Sequence, residues 1–105
     1  MAEITESEVA LIGKALGDPN RLAIYTQVAN CSSELFCGEI ECKHKISPAT
    51  LSHHLKILHD LGLITSRKEG LHVYYKPIPE RLTSYLAYLS KVCKRPKPLR
   101  KTSKK

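Results

Sequence analysis

Apolar residues recur along this chain first at helical spacing and later at strand spacing. Val9, Ile12 and Leu16 stand three and four apart behind Thr5, a residue able to cap a helix, and Gly17 closes the run. Asp18-Pro19 gives a fresh start signal, a capping side chain followed by proline at the first helical position. Leu22, Tyr25 and Val28 then make one face of a second helix. Asn30-Cys31-Ser32-Ser33 reads as a loop, and a short helix over about Gly38–His44 follows, with Ile40 as its inward anchor. Ser47-Pro48 repeats the cap-then-proline signal and opens a longer helix to about Leu61, closed by Gly62.

That longer helix has two unlike faces. At about 100° per residue, Leu51, Leu55 and Leu58 fall within about 60° of one another and form a core stripe. Ala49, His53 and Lys56 lie opposite, with Thr50 and Ile57 on one flank and Ser52 on the other. His54 borders the core stripe and reads as a packed, hydrogen-bonded side chain, whereas His59 reads as surface. A small, polar, basic face of this kind suits contact with something other than a protein core.

Beyond Gly62 the spacing changes to strand period. Leu63–Arg67 and Leu71–Lys76 are β-prone runs around Lys68-Glu69-Gly70, and the glycine supplies the positive φ that a tight hairpin needs. Leu71, Val73 and Tyr75 alternate with His72, Tyr74 and Lys76, which predicts a ribbon with one buried and one exposed face. A final helix from about Pro79 to Cys93 carries Leu82, Leu86, Leu89 and Cys93 in register. The expected fold is therefore mainly α with a two-stranded β wing: a winged helix-turn-helix of about five helices plus a hairpin, dimeric, over residues 1–93. Residues 94–105, basic and punctuated by proline, read as a disordered tail.

A short helix, a tight turn and a second helix followed at once by a hairpin is an arrangement that places an α-helix in the DNA major groove. Thr50 and His53 are then the candidates for base edges, and Ala49 suits a thymine methyl. Ser47 and Ser52 suit phosphate oxygens, as does the helix N-terminus opened by Pro48, and Lys56 shares the exposed face. From the hairpin, Arg67, Lys68 and His72 are expected to reach the backbone or the neighbouring minor groove.

Charge strengthens this picture. The net charge is +7, but residues 1–42 hold seven acids against two bases and residues 43–93 hold eight bases against three acids. The last twelve residues, Lys94–Lys105, add seven bases and no acid. A basic second half presents one positive face, for which a polyanion is the natural partner. No nucleophile–base pair or phosphate loop is visible, so an enzyme reading has no support. Met1–Glu8 carries three acids and no apolar run, and no segment approaches the length of a membrane span, so a cytoplasmic protein without membrane contact is expected.

Several stretches together resemble the ArsR/SmtB family of repressors: Ala15-Leu16-Gly17-Asp18-Pro19-Asn20-Arg21-Leu22, Gly38-Glu39-Ile40, Ile46 through Leu58, Gly62-Leu63-Ile64, Arg67-Lys68-Glu69-Gly70 and Tyr74-Tyr75. The resemblance spans about residues 9–93. It implies a homodimer joined through the first and last helices, bound to an imperfect palindrome of double-stranded DNA and released by a chemical signal. A winged-helix adaptor for protein or RNA, without such a signal, is the alternative from another class.

Four cysteines bear on the signal: Cys31, Cys37, Cys42 and Cys93. In a reducing compartment they favour metal binding, redox sensing or burial over a disulfide framework. Family members that sense arsenite or soft metals often carry Glu-Leu-Cys-Val-Cys-Asp-Leu-Cys at the start of the short helix. Here Phe36, Gly38 and Glu41 fall where that pattern has cysteines, and Cys37 and Cys42 each stand one residue late. Five residues on a helix turn through about 140°, so Cys37 and Cys42 share a face only if Cys37 lies in the preceding loop. Cys31 or His44 would complete a thiolate-rich site for arsenite or another soft ion, with no resident cofactor required. The zinc-sensing pattern on the last helix is absent, because no histidine follows His72. A persulfide- or oxidant-sensing branch pairs cysteines of the second and last helices. Cys93 falls near its second position, but Thr26 occupies its first, so the pair is broken and Cys93 reads instead as a small apolar residue of the dimer stripe.

Overall fold

The computed structural model describes residues 3–31 and 33–92, with the side chains of residues 41–44 outside the described set. Its helices are α1 (Glu6–Leu16), α2 (Pro19–Ala29), α3 (Cys37–His44), α4 (Pro48–Asp60) and α5 (Pro79–Val92). Its strands are β1 (Leu35–Phe36), β2 (Ile64–Glu69) and β3 (His72–Pro77), in the antiparallel order β1-β3-β2. Cys93 and the basic segment 94–105 lie outside the described residues.

The helix starts form where the capping chemistry places them. Thr5 and Glu8 make a reciprocal capping box at α1, each side chain accepting from the other's backbone N–H, at 3.1 and 2.9 Å. Asp18 accepts from the backbone N–H groups of Asn20 and Arg21 at α2, and Ser47 Oγ accepts from that of Thr50 at α4. Gly62, at φ +78°, lets the chain leave α4 and enter β2.

The core lies where α1, α2, α3 and α4 converge beneath the root of the hairpin. Ile12, Ile24, Val28, Ile40, Leu51, Leu55, Leu58, Leu63 and Ile64 are almost wholly buried there. In α2 the inward face is Ile24, Tyr25 and Val28, whereas Leu22, expected inside, is 44% exposed. Leu22 lies two full residues of rotation away from Ile24 and outside the arc that meets α4.

Two further departures from the expectation concern the wing. The sheet has three strands rather than two, because Leu35 and Phe36 pair with Tyr75 and Tyr74 of β3. Leu35 packs on the core, while Phe36 lies with its ring against Tyr74 on the other face. A two-residue strand is too short to leave a periodic trace in sequence. The hairpin turn is Gly70-Leu71, since Glu69 and His72 are its last pair, and Gly70 takes φ +63°. Leu71, expected on the buried face, is therefore at the tip and 95% exposed.

Helix α5 buries no residue completely. Leu82 and Tyr85, near its start, pack on the core, but Leu86, Leu89 and Val92 further along remain 53%, 42% and 63% exposed. Leu11 of α1, the helix against which α5 packs, is also 53% exposed. No helix of the described residues is long and apolar enough to cross a membrane.

Candidate nucleic-acid interface

Helix α4 is held from behind and open in front. Leu51, Leu55 and Leu58 anchor it in the core, and Pro48, Ala49, Thr50, Ser52, His53 and Lys56 are all exposed. Every sequence-expected contact on this helix thus shares one free surface with the exposed cap residue Ser47. The Ser47 hydroxyl also donates to Thr50 Oγ1 at 2.9 Å, which fixes both hydroxyls at the helix start. Lys56 Nζ rests 3.0 Å from Asp60, an i,i+4 pair on the exposed surface that a phosphate can compete with.

His54 belongs to the scaffold, as its sequence position indicated. It is 6% exposed, and its Nδ1 accepts from Arg21 Nε of α2 at 3.2 Å. Burial first, then the Arg21 guanidinium, hold this imidazole below its ordinary protonation range. Arg21 also donates to the Ala15 carbonyl at 3.2 Å and lies 3.9 Å from Asp18, so one side chain ties α1, α2 and α4 together. Its part in setting α4 was not visible in sequence.

Strand alternation divides the wing residues. Ser66 of β2 and Tyr75 of β3 line a cleft of about 340 Å³ with Ser52, Lys56 and His59 of α4, so their sheet face is the one turned to α4. Lys68, paired with Val73, shares that face. Arg67 and His72 lie on the opposite one. There Arg67 is gripped by Glu34 and Glu69, and the His72 ring meets Phe36 edge-on at 4.8 Å. Of the expected wing residues, Lys68 thus lies on the sheet face turned to α4, and Arg67 and His72 lie on the other.

Cys31 and Cys37 are half-buried and in no disulfide. Cys31 Sγ donates to the Glu34 carbonyl at 3.1 Å. Cys37 is the first residue of α3 and packs on the core, so the loop placement that would give it one face with Cys42 is not the one observed. The Cys42 and His44 side chains lie outside the described set, and among the described residues no three metal-ligating side chains cluster.

This arrangement, an exposed polar helix face beside a hairpin, agrees with known proteins. The model of the family described as "Bacterial regulatory protein, arsR family" matches residues 18–66, which hold α2, β1, α3, α4 and the first part of β2. An uncharacterized HTH-type transcriptional regulator of Methanocaldococcus jannaschii is 40% identical over 75 residues, covering 71% of this chain and 83% of that protein. The arsenical resistance operon repressor of Staphylococcus xylosus is 41% identical over 68 residues, 64% of each chain. Among solved structures, the homodimeric winged helix-turn-helix DNA-binding domain of a possible ArsR-family regulator from Mycobacterium bovis superposes with a TM-score of 0.65 at 24% identity, covering 92% of this chain and 94% of that one. The chain belongs to the arsR family of bacterial regulatory proteins, and is a winged-helix, DNA-binding transcriptional regulator rather than an enzyme.

Proposed function

We propose that this protein represses transcription as a homodimer, laying α4 of each subunit into successive major grooves of an imperfect palindrome. The observation that carries this reading is the exposed face of α4, small and polar at its N-terminal end and backed by a fully buried leucine stripe. Thr50 and His53 read bases, Ala49 meets a thymine methyl, and Ser47, Pro48, Ser52 and Lys56 fit against the sugar-phosphate backbone. Lys68, on the wing face turned to α4, takes a phosphate on the flank. The uncovered leucines of α5 and Leu11 of α1 supply the contact between subunits.

The test uses a duplex selected by the protein from a random pool, with a random-sequence duplex as reference. Thr50→Ala and His53→Ala are each expected to cost about 1–3 kcal/mol on the selected duplex and little on the reference. Equal weakening on both DNAs would assign these residues to the backbone and displace α4 from the groove.

For the signal, we propose a thiophilic ion such as arsenite, bound through Cys37, Cys42 and Cys31. Because Cys37 and Cys42 stand about 140° apart on α3, the ion must unwind the first turn of that helix or draw in the segment that holds Cys31. Support comes from the position of the two described thiols, one on either side of Glu34 and β1, and from the relative whose name places it in an arsenical resistance operon. A cytosolic setting, in which thiols stay reduced, suits this chemistry. Anisotropy of the bound duplex during arsenite titration should show release, by about 5- to 150-fold in affinity. The Cys37→Ser, Cys42→Ser double variant should bind DNA but ignore arsenite. A wild-type protein that ignores arsenite rules out this inducer.

A further inference from the structure

The most heavily bonded side chain on the wing is one that points away from α4. Arg67 Nε and Nη2 donate to the two oxygens of Glu34 at 2.9 and 2.8 Å, a bidentate fork, and Nη1 donates to Glu69 at 2.6 Å. The guanidinium also lies over the Tyr74 ring, 4.8 Å from its centre. Glu34 precedes β1, and the Arg67 hydrogen bonds hold its carboxyl below the usual carboxylate range. Its backbone is fixed in turn, because the carbonyl accepts from Cys31 Sγ.

Resting on the DNA-binding reading above, we propose that Glu34 is a positioning residue for DNA recognition, clamping the wing to the α2–β1 segment through Arg67. Three observations converge on this role. The Arg67 guanidinium is already paired with two carboxylates, and Lys76 stands on the same sheet face, so Arg67 has no donor held open for a phosphate. It lies on the sheet face opposite Lys68 and Ser66, the residues turned to α4. It also stands where the sheet is weakest: β1 contributes only Leu35 and Phe36 to the ladder, and a two-stranded hairpin alone is marginal. A bidentate guanidinium–carboxylate pair within a charge network is the surface arrangement that does hold geometry.

The lever arm explains why the clamp matters. A six-residue strand spans about 20 Å, and Arg67 sits midway between the root at Ile64 and the Gly70-Leu71 tip. Fixing the middle fixes the direction of Lys68 beside it. Arg67 then contributes to DNA binding without touching DNA.

The experiment compares Glu34→Gln, Arg67→Gln, the double Gln variant and the charge swap Glu34→Arg with Arg67→Glu, which preserves net charge. Affinity is read on the selected and random-sequence duplexes at several salt concentrations. Amide hydrogen exchange over residues 64–77 is read without DNA. The clamp predicts that each single variant loses about five- to tenfold on the selected duplex, that the double is no worse, and that the swap recovers most of the loss. The salt slope should stay unchanged, and exchange in 64–77 should accelerate in the single variants and slow again in the swap. A slope reduced by about 0.9 in Arg67→Gln, with Glu34→Gln binding both duplexes more tightly, would make Arg67 a phosphate ligand and overturn the proposal. Unaltered exchange would overturn it also. If the wild-type protein prefers no duplex, the DNA reading fails, while the exchange experiment still decides the clamp.

Discussion

Leu86→Glu combined with Leu89→Glu should yield a folded monomer whose affinity for the selected duplex is lower by about a thousandfold or more. Both leucines lie beyond the core, 53% and 42% exposed in the single chain, so their replacement leaves the packing of Leu82 and Tyr85 in place. In a twofold contact every substitution appears twice, which puts four carboxylates into a surface that otherwise buries four leucines. Burying a leucine fully contributes about 1.5–3 kcal/mol, and an unpaired charge in its place costs more than that. On the proposed dimeric reading, loss of the subunit contact leaves each α4 to find its half-site unaided. Sedimentation equilibrium should report a monomer at micromolar concentration, with helical circular dichroism unchanged. A variant that still dimerises and still binds would move the subunit contact away from α5.

Arg21→Ala should destabilise the protein by about 2–3 kcal/mol, lowering the melting temperature by roughly 10–20 °C. The loss strands His54 Nδ1 in a site only 6% exposed and removes the packed Arg21 stem between α1, α2 and α4. The same contact makes stability depend on pH. His54 titrates lower in the folded chain than in the unfolded chain, so below the usual imidazole value of about 6.5 the unfolded chain binds more protons. The stabilisation is therefore complete above that value and declines as pH falls through it. Urea midpoints should drop between about pH 7.5 and about pH 5.5, and His54→Gln should remove that part of the drop. An equal drop in the variant would assign the effect to other groups.

The sequence was most legible where one residue determines local geometry. Thr5, Asp18-Pro19 and Ser47-Pro48 start their helices by side-chain capping, Gly62 closes α4 as expected, and Gly70 takes the positive φ expected of it. The division of α4 into a leucine stripe and a polar face followed from rotation per residue alone. Tertiary approach decided the rest. Leu71 alternates correctly with Val73 and Tyr75 but lies past the last strand pair, and β1 exists because β3 offers it an edge. The bonds from Arg21 to His54 and from Arg67 to Glu34 each join residues 33 apart, and no periodicity announces them.

The Phe36 ring lies over the start of α3 because Gly38 has no side chain: a Cβ there would come within 2.7 Å of Phe36 Cε2. These are two of the positions that align with cysteines in the Glu-Leu-Cys-Val-Cys-Asp-Leu-Cys pattern of the family resemblance. A ring that swung aside would give up its contacts with His72 and Tyr74. Cysteine at 38 alone would oblige the ring to shift, and cysteine at 36 alone would remove the ring that covers the glycine. The two sites are sterically coupled, so exchanging one thiol pattern for the other disturbs the contact between the start of α3 and the wing unless both positions change.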